Sequence, residues 1–476
     1  MAQKISYSGN ILMIGYGSVG RCTMPLIEKH FGMNTLSRVT VVDGHDHRAD
    51  AQRFIDKGMN YLVQPLVPEN LEATLGKYCK KGDIILNLSV EVDSLEVIRW
   101  CQKNGVLYLD TCIEPWANYY DNTSIPEEHR TNYYLRHRAL EAAKQFPKGG
   151  PSALLTHGAN PGLITHFIKQ ALLDIAKFRG IDATKPTTRE GWARLMQKTG
   201  TKVIHVAEHD LQVTNVPKRP GEFVNTWSIP GFVGEGCQPA ELGWGTHEKR
   251  LPENGVEHKV GCKAAIYLRQ PGCITEMRSW TPKGGPMIGF LITHGESITT
   301  ADYFTVRDSS GKAVYRPTCH YAYHPCDDAV LSVREFQMKN FEMQPKTRPL
   351  NQEIVDGIDE LGALLMGDFG AYWYGSQLSI HEARKMLGPD YNATSIQIAA
   401  PVLAGAMWLI QHPDRGLVEP EDLDHDYVLD ICRPYLGPVV GVRSDWSPLK
   451  DRNVLFPEAN LDTSDPWQFE NFRVRR

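Results

Sequence analysis

Hydrophobic and polar positions change rhythm twice along this chain. Over the first third, short apolar runs alternate with longer amphipathic ones. The runs Asn10–Ile14, Val39–Asp43, Asn60–Val63, Asp83–Leu88, Val106–Asp110 and Ala153–Thr156 have the length and β-branched content of buried strands. Helical patterns at about 21–31, 48–57, 69–80, 92–103 and 128–146 separate them. Strict strand–helix alternation predicts an α/β fold, a doubly wound parallel sheet of Rossmann type with helices on both faces. After about residue 160 the texture changes. Leu163–Lys177 reads as one amphipathic helix. Short strand-like runs then mix with Gly, Pro, Trp and Tyr (Lys202–Val206, Gly261–Leu268, Gly289–His294, Ser297–Val306), which predicts a second α+β domain on a mostly antiparallel sheet. Helical rhythm returns at 351–366 and 397–412, and the stretch from about 444 is polar and reads as irregular. The expected division is 1–160 for nucleotide binding, 161–395 for substrate and dimerisation, and 396–476 as a helix and tail packing back on the first domain.

The sharpest local signal is Asn10-Ile-Leu-Met-Ile-Gly15-Tyr-Gly17-Ser-Val-Gly20, a strand running straight into G-x-G-x-x-G. Gly15 makes the tight turn, Gly17 lets backbone approach a pyrophosphate, and Gly20 lets the following helix pack against the strand. Ser18 and Val19, inside the fingerprint, are expected to bind the cofactor. Asp43 closes the second strand, at the position that accepts the ribose hydroxyls of NAD and repels the 2′-phosphate of NADP. Ligands of this fold lie beyond the carboxyl ends of the strands, so Ser89, Val90, Asp110, Thr111, Ala159, Asn160 and Pro161 are expected to line the ribose and nicotinamide. Pro25 fits a helix that begins near Arg21, where a proline falls early.

Composition narrows the classes of partner. The chain has 476 residues, long enough for two or three domains, and a formal net charge of −5, which gives no electrostatic case for nucleic acid or an anionic membrane. No run approaches the ~20 apolar residues of a membrane span, and the apolar run Ile11–Ile14 is too short for a secretory signal. Ten cysteines lie without paired spacing and read as reduced thiols, so a cytoplasmic enzyme is expected. The run Cys319-His320-Tyr-Ala-Tyr-His324-Pro-Cys326 has zinc-type ligands in no closed zinc pattern, and no metal is expected.

Between 200 and 380 the chain is dense in acids and aromatics: His205–Asp210, Asn225–Ser228, Gly234–Gly236, Gln238–Gly245, Thr293–Ser297, Asp356–Glu360 and Ala371–Ser376. Paired carboxylates and an aromatic face suit an alkyl diammonium substrate.

These motifs resemble those of the bacterial homospermidine synthases. The stretches that carry the likeness are Gly15–Gly20, Asn87–Val90, Glu114-Pro-Trp116, Gly158–Gly162, Pro186–Glu190, Val224–Ser228, Gln238–Thr246, Arg278–Pro282, Tyr315–Cys326, Glu353–Leu361, Ala371–Ser379, Tyr435–Val442 and Asp462–Phe469. The resemblance implies a saccharopine dehydrogenase-like fold, a homodimer, NAD kept as a prosthetic group, and two putrescine molecules joined to sym-homospermidine with loss of ammonia. With that chemistry, Trp227 is expected as the aromatic platform for the reacting cation, with Glu208 and Glu235 binding amine ends. His294 and Glu296 become candidates for proton transfer or a second amine pocket, Asn160 orients substrate, and Asp359 sits at the far amine. Tyr321 and Tyr323 are expected to reach the pocket. Two readings compete: a saccharopine dehydrogenase-like reductase that joins an amine to a carbonyl with net NAD(P)H use, and a non-catalytic NAD-binding regulator.

Overall fold

The computed structural model describes residues 4–474 apart from 33, 34, 121, 183, 453, 454, 456, 457, 459 and 460. The chain forms two compact units. The first comprises residues up to 130, 134–163 and 383–436; the second comprises 131–133, 164–382 and residues from 437 onward. The boundaries therefore differ from those expected: the chain leaves the first unit near 163, returns at 383, and leaves again at 437.

The first unit is a seven-stranded parallel sheet. In spatial order its strands are Leu417–Val418, Ala153–Leu154, Leu107–Asp110, Ile84–Asn87, Ile11–Ile14, Val39–Asp43 and Asn60–Val63. The central four carry near-continuous apolar side chains because both faces are covered. Local chemistry sets the helices between them. In Ser94–Asn104, for example, the Asp93 carboxylate accepts the Glu96 N–H, and Gly105 at φ 71° ends the helix in the left-handed region. The six strands expected from sequence are present within two residues at each end. The seventh, only two residues long, is brought back by the returning segment.

That segment contains the helix Ala393–Gln411, which is long and apolar enough to cross a membrane by length and composition, although the sequence reading expects no run to reach that limit. Here it is a core helix. Gly405 lies so close to the sheet that a Cβ there would meet Leu109 and Leu154 side chains and His157 Nδ1 within about 3 Å.

The second unit is built on a mixed sheet of ten strands. Eight run in the order Gly255–Glu257, Ala265–Pro271, Pro239–Gly243, Thr318–His324, Thr201–Asp210, Ile358–Gly367, Gly370–Ser379 and Val439–Ser444, and the hairpin Glu276–Thr281/Gly285–Phe290 joins through Thr318–His324. Every pairing is antiparallel except Thr318–His324 with Thr201–Asp210. Two expectations fail here. Residues 351–366 are strand, not helix, and Ser297–Val306 is mostly the helix Gly295–Tyr303. Ile358–Gly367 and Gly295–Tyr303 are buried almost all round, so the alternation that distinguishes a half-buried strand from a helix face is missing. The C-terminal stretch is also less irregular than its composition implies: Trp446, Trp467, Phe469 and Phe472 are buried in the core of this unit.

Candidate active site

In the first unit the three fingerprint glycines are needed for three different reasons. Gly15 has φ 90°, and a Cβ there would strike the Leu88 carbonyl. A Cβ on Gly20 would press on the Gly15 carbonyl oxygen at 2.5 Å. Gly17 meets nothing within 4 Å, so its backbone faces the open space that a diphosphate needs. The helix Ser18–His30 starts directly after Gly17, with no side chain capping its free N–H groups and no acid in its first turn. Ser18 and Val19 thus open the helix. Because it starts at Ser18, Pro25 lies in its interior, not its first turn, and correcting that expectation leaves the phosphate-binding end intact.

Asp43 sits at the end of Val39–Asp43 and is nearly buried. Its carboxylate accepts the Tyr16 N–H at 2.5 Å and the His45 N–H at 2.6 Å, which fixes it beside the glycine turn. At the neighbouring strand ends, Ser89 Oγ donates to Asn87 Oδ1 at 2.7 Å, Val90 is exposed, and Thr111 packs against Gly158. Ala159, Asn160 and Pro161 form the turn after Ala153–Leu154. Asp110 differs from its expected role. It is fully buried, with Oδ1 accepting the Thr156 N–H at 2.6 Å and Oδ2 the Tyr108 hydroxyl at 2.8 Å. Burial raises its pKa to about 7 against the pull of those bonds. It clamps two strand ends together, which argues against direct contact with a cofactor.

In the second unit, strand alternation does most of the assembly. Tyr321 and Tyr323 point to one face of Thr318–His324, with rings stacked at 5.3 Å. Register places Tyr323 opposite Glu208, and Asp210 opposite Asp359. The Tyr321 hydroxyl donates to Glu208 Oε2. Trp227 Nε1 donates to the Tyr323 hydroxyl at 3.0 Å. Burial holds the Tyr323 hydroxyl protonated, and the nearby charges of Glu208, Asp210 and Asp359 add to that effect.

A helix on each side supplies the remaining groups. Ile229–Cys237, capped by Ser228 Oγ, carries Glu235; Gly295–Tyr303 carries Glu296 in its first turn, with His294 just before it. His294 Nε2 lies 3.1 Å from Glu235 Oε2, and Nδ1 lies 3.4 Å from Glu296 Oε2. The imidazole also sits 4.4 Å from the Tyr321 ring. Burial alone would lower the His294 pKa, but the charges and hydrogen bonds of Glu235 and Glu296 prevail and raise it to about 10. Near neutral pH this is an imidazolium, a proton donor held by two carboxylates.

The structure therefore brings Trp227, Glu208, Glu235, His294, Glu296, Asp359, Tyr321 and Tyr323 into one connected cluster, while Asn160 belongs to the first unit. Asp210 is not among the residues singled out from sequence, although its spacing of two from Glu208 on a strand marks it as facing the same way. It is buried, accepts from Thr226 Oγ1 at 2.7 Å, and burial raises its pKa. Phe232 is a second such residue; its ring lies 5.8 Å from both Trp227 and Tyr323. Cys319 and His320 fall on opposite faces of their strand, and His320 pairs with His205 at 4.1 Å between rings, away from the tyrosines.

A glycine-cradled dinucleotide turn in one unit and a buried acid–tyrosine–imidazolium cluster in the other mark an enzyme of saccharopine dehydrogenase-like architecture. Family descriptions agree: residues 11–154 match the saccharopine dehydrogenase NADP binding domain and 158–442 the saccharopine dehydrogenase C-terminal domain. The chain belongs to the homospermidine synthase family. It is 50% identical over 98% of both chains to the homospermidine synthase of Blastochloris viridis, and 49% identical to that of Mesorhizobium japonicum over 98% of this chain and 97% of the relative. It also superposes with a TM-score of 0.92 on a homospermidine synthase from Legionella pneumophila solved in complex with NAD, at 45% identity over 99% of each chain.

Proposed function

We propose that this enzyme condenses two putrescine molecules to sym-homospermidine and ammonia, with NAD kept bound between turnovers. The observation that carries this reading is the charge balance of the cluster. Glu208, Asp210, Glu296 and Asp359 are buried, Glu235 is largely so, and the five gather around two tyrosines and the His294 imidazolium. Buried carboxylates are costly unless cations answer them, and a diamine supplies a cation at each end.

The residues that would hold NAD fit it: Gly17 leaves room for the diphosphate, and Asp43, fixed by two backbone N–H groups, keeps lone pairs for the ribose hydroxyls. Bound there, NAD would supply a reversible hydride acceptor for the amine-bearing carbon. Everything else falls to the chain. Trp227, its indole N–H tied to Tyr323, offers its face to an alkylammonium. Glu208, steadied by Tyr321, pairs with the reacting amine end, and Asp359 with Asp210 holds the far end. His294 has its proton ready for the departing ammonia, and Glu235 and Glu296 keep it charged. Burial keeps water from hydrolysing the imine to an aldehyde. The enzyme works as a cytoplasmic homodimer.

The test is product analysis with putrescine and substoichiometric NAD. Homospermidine in molar excess over NAD supports the reading. Product formed only when a carbonyl co-substrate is supplied, with one NADH consumed per molecule, would favour the reductase, and no new species would favour a regulator.

A further inference from the structure

Ten cysteines are held as thiols, and one of them, Cys237, is exposed while a second thiol lies against it. Pro239 and Pro271 are register partners on antiparallel strands. Cys237 ends the helix that leads into the first of these strands and Cys273 lies in the turn that follows the second, so both flank the point where the pairing stops. The chains stay together there: the Gly272 N–H donates to the Gln238 carbonyl at 3.2 Å. A Cβ on Gly236 would lie 3.3 Å from Cys273 Cβ. The two thiols are hydrogen-bonded to each other. Cys273 is buried in the turn Gly272–Ile274 and its carbonyl accepts Gln337 Nε2 at 2.6 Å; the neighbouring Cys237 and burial push its thiol well up, and the Arg334 guanidinium only partly opposes them.

We propose that Cys237 and Cys273 form a reversible disulfide that lowers turnover by displacing Glu235. The oxidant is a small-molecule disulfide. The Cys237 thiolate attacks one of its sulfurs, making a mixed disulfide and releasing one thiol. Cys273 then attacks the Cys237 sulfur, closing the intramolecular bond and releasing the second thiol. The two protein thiols give up two protons and two electrons, and the oxidant becomes two thiols. The consequence follows from position. Cys237 is the last residue of Ile229–Cys237, two residues after Glu235, whose carboxylate stands 3.1 Å from His294 Nε2. Shortening a sulfur contact to a bond of about 2.05 Å draws in that last turn, and a misplacement of about 1 Å at a catalytic contact can cost up to about a hundredfold.

The experiment treats the NAD-loaded enzyme with oxidised glutathione, then reads non-reducing peptide mass spectra and putrescine turnover, before and after dithiothreitol. The expected result is a Cys237–Cys273 cross-link, a fall in kcat/KM of about tenfold or more, and recovery of both on reduction. Cys237→Ser should keep normal basal turnover and lose the response. Absence of that cross-link, a cross-link with unchanged turnover, or an equal loss in Cys237→Ser would overturn the proposal. The activity arm rests on the proposed reaction. If untreated enzyme makes no homospermidine, that reading fails, while the cross-link still reports on the thiol pair.

Discussion

Trp227 is half-buried, ties its indole N–H to Tyr323, and lies in an acid-lined cluster. A desolvated cation–π contact is worth about 2 kcal/mol, and leaving the buried Tyr323 hydroxyl without its donor costs about 1 kcal/mol more. Trp227→Ala should therefore lower kcat/KM for putrescine by about a hundredfold, with little change in NAD content; steady-state kinetics checks this. His294 gives a prediction with a definite sign. Its folded pKa of about 10 exceeds the unfolded value of 6.5, so its stabilising contribution is complete below about pH 6.5 and is lost as pH rises through 10. The thermal midpoint should fall over that window, and Glu296→Gln should flatten the slope by bringing the imidazole back toward its ordinary value. The acids, Trp227 and the tyrosines were legible as residue types because burying such groups together needs a reason. Asp210 was not, since an acid two positions after Glu208 carries meaning only once the segment is known to be a strand.

At the scale of elements, the glycine turn and the strand before it are nearly all of the nucleotide site. Gly20→Val would drive side-chain carbons into the Gly15 carbonyl and Met13 sulfur, pushing the helix Ser18–His30 off the strand. The purified variant should carry little or no NAD while keeping its fold, as measured by nucleotide release on denaturation and by circular dichroism. The parallel sheet was readable because its strands are short, apolar and spaced by helices. Residues 351–366 misled for the opposite reason. In Ile358–Gly367, sandwiched on both faces, only hydrophobic length remains as a signal, and that is shared by a buried helix. Cys237 and Cys273 had no sequence signal at all: a separation of 36 residues (273 − 237) becomes a contact only through the register of Pro239 with Pro271.

At the scale of the whole molecule, the chain order hides the domains. Leu417–Val418 completes the nucleotide-binding sheet, and Val439–Ser444 then completes the other sheet, so neither unit is a continuous stretch. A chain truncated near 395 is thus expected to be insoluble or molten, having lost both edge strands and most of the helix Ala393–Gln411; expression and thermal unfolding check this. The central claim is that hydride leaves an amine-bearing carbon and comes back without exchange to the pool. Putrescine deuterated at the carbons beside both nitrogens, given with unlabelled NADH in solution, tests it by mass spectrometry of the product. The account predicts homospermidine that keeps all its carbon-bound deuterium while the NADH is untouched. Product in which one of those deuteriums is replaced by protium from the added NADH, with deuterium appearing in the dissolved nucleotide, would contradict it.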